Sequence, residues 1–290
     1  MVEPRPDLVR SGESSDAEFC AEAVRKHDYD RWLTALFVPV ERRAAVLALF
    51  AFNLELARTR EQVSEPMLGE IRLQWWRETI EGAYAGKPRQ HPIAKELAVA
   101  VVRHRLSRAH FDRLIDARAQ DLYETPPKDL AALEIYAEAT SAELASLALE
   151  VLGVDDAPSI AAAHAAAVAW ALVGIARAVP FHAAFRRVHL PQDALTAEGA
   201  STEDVIYGRK PEAIRRVIAL VANQAARHLE AARGHRVARA ALPALLPAAL
   251  ADIYLAQLRR AGFDPRHPRL QVSASRKHFR LLGKALLHLF

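Results

Sequence analysis

From Asp16 onward the chain reads as one helix-period segment after another, and this succession limits the fold more than any other feature. The pattern breaks only at turn-forming residues: at Pro39, over 64–66, 86–92, 125–127, 153–158, 191–201 and 209–211, at Gly234, and over 243–247 and 264–268. No strand-length run of β-branched residues lies between turn signals, which removes an all-β fold. Alanine supplies 58 of 290 residues and glycine 11, a balance that lowers the cost of helix and raises that of strand. No two glycines stand two apart, so a dinucleotide-binding GxGxxG is absent, and no Walker A GxxxxGK[ST] loop is present either. The expectation is an all-α protein with a flexible polar N-terminus over 1–15 and a single domain over 16–290.

Within that string some helices read as interior. Over 41–62, Val46, Leu47, Leu49, Phe50, Phe52, Leu54 and Leu56 cover more than one stripe, which predicts burial all round. The run 160–176 is apolar but mostly alanine and interrupted by His164, so it reads as a core helix rather than a membrane span. Over 66–84, Ser64 is placed to cap the start, Trp75 reads as core, and Trp76 beside Arg77 reads as interface. Ser201 and Asp204 have capping-box spacing.

The net charge of +4 is too small for a nucleic-acid binder, and no nucleic-acid partner is expected. The lone Cys20 cannot form an internal disulfide and has no catalytic setting. No two of the twelve histidines stand three or four apart, so no helix face carries a histidine pair for a metal. Asp112 and Asp116 share a face, with Asp121 a turn further, a spacing that can hold magnesium; Arg113 and Arg118 beside them favour a solvated face. Residues 259–284 hold eight basic residues against Asp264 and run into a leucine-rich end. Arg276, Lys277, Arg280 and Lys284 there suit either a solvated face or an anionic membrane or partner surface, held by charge and released by salt.

The segments FVPVERRAAVLALFAFNLELARTRE, IRLQWWRETIEGAYAGKPRQHPIAKEL, IARAVPFHAAFRRVHLPQDAL and GFDPRHPRLQVSASRKHF resemble the squalene/phytoene synthase family over nearly the whole chain. The resemblance implies an isoprenoid-synthase-like helical bundle around a central cavity. In that family, two Asp-x-x-x-Asp motifs on facing helices hold prenyl diphosphates through magnesium, because a spacing of four puts both carboxylates on one face. Matched to those motifs, this chain has Ala57 and Glu61 at the first and Ala178 and His182 at the second. Leu54 replaces a diphosphate-contacting arginine, Gly174 an asparagine and His189 a tyrosine, while Arg177 matches. Within the family, NLELARTREQVSEPMLGEIRLQWWRETIE and RAVPFHAAFRRVHLPQD look most like the branch of mitochondrial complex I assembly factors and their bacterial relatives.

The resemblance therefore implies a pseudo-enzyme without catalytic residues, metal or cofactor that helps assemble respiratory complex I. Its expected partners are complex I subunits or other assembly factors, with an isoprenoid or lipid in the cavity as a further candidate. The polar N-terminus suggests a bacterial cytoplasmic protein, peripheral at the inner membrane face. The surface around Trp76, Arg77, Phe181, Phe185, Arg186 and Arg187 is the candidate docking face, the alternative being that Phe181 and Phe185 pack into the bundle. Two alternatives remain: a magnesium-dependent head-to-head prenyltransferase using displaced carboxylates such as Glu61, Asp112 and Asp116, and a non-catalytic lipid-binding protein.

Overall fold

The computed structural model describes residues 15–123 and 125–290. Except for Ser15, the polar N-terminal segment lies outside the described residues. Ser15 closes a capping box with Glu18 and starts α1 (Asp16–His27). Then come α2 (Tyr29–Ala35), α3 (Val40–Ala57), α4 (Pro66–Tyr84), α5 (Pro92–His104) and α6 (Arg108–Ala119). A second group comprises α7 (Leu130–Ala137), α8 (Glu143–Leu152), α9 (Ala157–Arg177) and α10 (Val179–Ala184). The chain continues through α11 (Gln192–Ala197), α12 (Thr202–Ile206), α13 (Pro211–Arg233), α14 (Leu242–Leu245), α15 (Pro247–Arg260) and α16 (Ala274–Leu286). Among the described residues there is no strand, as the helix-period pattern predicts.

α9 runs through the core against α13, α15 and α8. Its inward residues include Ala162, Ala163, Ala166, Ala169 and Ala176, whose small side chains let neighbouring helices approach closely. α9 and residues Arg239–Arg260 are long and apolar enough to cross a membrane, but most of each apolar stretch is buried inside the fold. α3 packs against α1, α5 and α8 and buries ten residues from Val46 to Leu56, as its unbroken apolar pattern predicts.

Two local expectations on α4 are corrected. Its N-cap is Glu65 rather than Ser64, and no side chain caps it. Trp76, not Trp75, is the core tryptophan: Gly69, Leu73, Trp76, Ile80 and Ala83 form the buried stripe at spacings of three and four, which carries Trp76 inward. Its ring meets Phe52 edge-on at 5.2 Å. Trp75 is half-buried under the Arg89 guanidinium. The expected Ser201–Asp204 capping box is present at the start of α12.

α7 continues into α8 through a π turn, Glu138–Ala142. Such turns interrupt a helix without ending it and re-aim the side chains around them. This one begins two residues after Tyr136, which reaches into the site described next.

Candidate functional site: a locked carboxylate in a helical cleft

A 3₁₀ turn over Gln120–Leu122 ends α6 and buries Asp121. Three neighbours saturate its carboxylate. Arg187 lies 2.9 Å from one oxygen and Arg118 3.1 Å from the other. The Tyr136 hydroxyl donates to the pair at 2.8 and 3.0 Å, while Arg118 donates to that hydroxyl at 2.8 Å. Burial alone would raise the Asp121 carboxyl, but the two guanidiniums outweigh it and hold Asp121 below the usual carboxylate range.

Arg187 reaches this position because of how α10 ends. The Arg187 N–H bonds back to the His182 carbonyl and the Arg186 N–H to that of Ala183, with Arg186 in the left-handed region at φ 55°. This is a Schellman-type stop, in which the residue after the left-handed position turns back toward the helix. It sends Arg187 inward and leaves Arg186 exposed.

Two histidines complete the cluster. The Arg187 guanidinium donates to His189 Nε2 at 2.9 Å, which makes that nitrogen an acceptor and the ring neutral. His189 stacks on Tyr136 at 5.4 Å and meets His182 edge-on at 4.6 Å. Burial first, then the neighbouring positive charges, pull His182 down to about 3; burial also dominates at His189, which falls to about 4 despite Asp121. Glu61, on the 3₁₀ turn after α3, lies within electrostatic reach of Arg187 and Asp121 and is raised, mainly by burial. A cleft of about 360 Å³ opens over the cluster, with Tyr123, Pro126, Pro127 and Leu133 among its walls.

The positions picked out by resemblance separate into two groups. Glu61, His182 and His189 meet at the Asp121 cluster. Ala57 ends α3, Leu54 is buried one turn before it, and Ala178 joins α9 to α10. Gly174 is on the last turn of α9, where an added Cβ would meet nothing within 4 Å. Arg177 lies 3.3 Å above the Tyr254 ring, with its Nε buried and without a hydrogen-bond partner. Asp112 and Asp116 are elsewhere, tied to Arg108 at 3.4 Å and Arg77 at 2.8 Å. Asp121 was visible in the sequence only as a carboxylate one turn beyond that pair. Its partners Tyr136 and Arg187 are 15 and 66 positions away, so nothing local connected them.

The donor set does not suit magnesium, which needs several hard oxygen ligands. Ala57 and Ala178 supply none, His182 offers ring nitrogens, both Asp121 oxygens are engaged by arginine, and Glu61, 3.9 Å from Arg58, is left as a single carboxylate. Among the described residues no three His, Cys, Asp or Glu side chains are arranged to hold a metal ion. A crevice between α3, α8, α9 and α14, bordered by Phe50, Leu144, Ala167 and Trp170, holds only about 40 Å³, far below the several hundred a prenyl-sized ligand fills.

The expected docking residues are also re-sorted. Arg187 is 6% exposed and Trp76 1%, so neither belongs to a free surface. Phe181 is half exposed and tilts against half-buried Phe185 at 5.3 Å. Lys277 turns inward to pair with Asp30 at 2.6 Å, Arg280 bonds Asp252 at 3.0 Å, and Lys284 donates to the Phe290 carbonyl at 3.1 Å. Only Arg276 of these four is exposed with no ion pair among the described residues.

Residues 24–276 match the model of the squalene/phytoene synthase family. The chain belongs to the squalene/phytoene synthase family. Two solved structures share its fold. A squalene synthase HpnC from Alicyclobacillus acidocaldarius superposes with a TM-score of 0.76 at 23% identity, covering 86% of this chain and 95% of the other. A dehydrosqualene synthase in complex with ligand gives 0.81 at 18%, covering 94% and 96%. Among curated proteins, complex I assembly factor 6 of Bos taurus is 38% identical over 90% of this chain and 79% of its own length. The Homo sapiens protein of that name is 38% identical over 87% and 77%. A phytoene synthase of Rhodobacter capsulatus is more distant, 26% identical over 77% of this chain and 66% of its own.

Proposed function

We propose that this chain is a non-catalytic member of the squalene/phytoene synthase family that serves as an assembly factor for respiratory complex I, with complex I subunits or other assembly factors as partners. The observation that carries the reading is the 38% identity, over about nine-tenths of the chain, to proteins named complex I assembly factor 6. The site chemistry supports the non-catalytic half. Ionising an allylic diphosphate requires cations to neutralise the leaving group, and the positions matched to the metal-binding motifs here include Ala57, Ala178 and His182, none of which carries a carboxylate.

A location at the inner face of a membrane belongs to this proposal. The assembly-factor relatives are eukaryotic, so they lend no support to the bacterial cytoplasm expected from the N-terminus. Deleting the gene in the native host and resolving membrane complexes on native gels tests the role. Loss of assembled complex I, restored by the wild-type chain, is the expected result; an unchanged complex in the deletion strain overturns it.

A further inference from the structure

α16 carries two apolar faces, and only one is used. Leu281 packs inward, with Lys277 on the same side bonded to Asp30. The outward face presents Phe279, Leu282 and Leu286, spaced i, i+3 and i+7 and exposed by 75%, 48% and 78%. Leu287 and Leu289 beyond the helix are exposed as well. Three or more large apolar side chains in one outward stripe differ from the scattered exposed leucines of an ordinary surface. The helix contains no acidic residue, and exposed Arg276 and Arg280 flank the stripe.

The end of this helix borders a groove of about 470 Å³, whose walls include Arg42, Arg239, His288 and Glu41. Val40, next to that wall, is 76% exposed. Arg239 donates to His288 and Arg42 to the Val151 carbonyl, so exposed Arg239 is the cation at the mouth of this groove, which lies between the start of α3 and the end of α16. Apolar side chains that enter the acyl boundary, beside basic groups level with lipid phosphates, are the requirements for lying in a bilayer interface.

The geometry points to this edge as a docking surface for an anionic lipid bilayer, with Phe279, Leu282 and Leu286 inserted and exposed Arg239 and Arg276 facing lipid phosphates. Because Lys277, Arg280 and Lys284 are engaged within the protein, insertion rather than charge holds the contact, and salt weakens it without abolishing it. The inference deepens the membrane location in the proposed function but is independent of the complex I role. Vesicle binding is read on purified protein and assembly in cells, so either can fail alone.

The test is co-sedimentation of the full chain with phosphatidylcholine vesicles, with and without phosphatidylglycerol, at low and high salt. Wild type should bind the anionic vesicles and keep part of that binding in high salt. A triple variant, Phe279→Ser, Leu282→Ser and Leu286→Ser, should lose at least tenfold in partitioning while melting within a few degrees of wild type, since these side chains are exposed. Arg239→Gln should reduce the preference for anionic over neutral vesicles several-fold. Equal binding by wild type and the triple variant overturns the inference. So does absence of wild-type binding to any vesicle, including the case where sedimentation velocity shows a dimer that the triple variant dissolves, which would assign the stripe to a second copy.

Discussion

At the scale of single residues, Arg186 and Arg187 show how a neighbour in sequence can have an opposite role. Both read as exposed arginines beside aromatics, yet one backbone turn at φ 55° sends Arg187 onto Asp121. Removing one member of a buried ion pair leaves the other uncompensated, so Arg187→Glu should cost about 3 kcal/mol or more. Arg186→Glu, at an exposed position, should stay within about 1 kcal/mol. Urea unfolding of the two variants decides the matter, and equal destabilisation would contradict the inward placement of Arg187.

The same cluster sets a pH dependence. His182 and His189 titrate near 3 and 4 in the folded protein against 6.5 for a free imidazole, so between those values the unfolded chain binds more protons. Stability should therefore fall as pH drops from about 6.5 toward 4. Asp121, held low, contributes stability that is lost only at still lower pH, as acid protonates it in the fold. His182 Nδ1 is buried without a hydrogen-bond partner, so His182→Leu removes a titrating group and breaks no bond at that nitrogen. The variant should lose less stability than wild type between pH 7 and pH 5, as read from urea midpoints; parallel losses would rule out this histidine as a source of the slope.

At the scale of elements, capping fixes where some helices begin, as at Ser15 and Ser201, and the apolar pattern shows that α3 is interior. They failed where neighbouring positions differ by a rotation of about 100° that only a packing partner selects. The Trp75–Trp76 pair was misassigned for that reason: both tryptophans fit an apolar stripe, and contact with Phe52 decides between them. Attachment of α16 is another case. Lys277 and Asp30 are 247 positions apart, and the Tyr254 hydroxyl donates to the same carboxylate. Asp30→Ala would strip a half-buried lysine and a tyrosine of their acceptor, at a cost of about 1.5–3 kcal/mol for a charged hydrogen bond. Amide exchange should then accelerate in α16 before it does in α9, and a uniform acceleration throughout the protein would show that Asp30 supports the whole fold instead.

At the scale of the whole molecule, the fold is shared with a squalene synthase, and the proposal is that the reaction is not. Purified protein incubated with labelled farnesyl or geranylgeranyl diphosphate and magnesium should give no hydrocarbon above a control without protein. Magnesium-dependent squalene or phytoene would overturn the non-catalytic reading. The all-α class and the family were legible in the sequence, because helical period and motif spacing are local properties that survive in a one-dimensional pattern. That Ala57, Ala178 and His182 carry no carboxylate is also read directly from the sequence. The Asp121 lock, the inward turn of Arg187 and Lys277, and the unpaired stripe of Phe279, Leu282 and Leu286 were decided only by the tertiary structure. Each depends on which distant side chain neutralises a buried charge or covers an apolar face, and such pairings arise when helices far apart in sequence pack together.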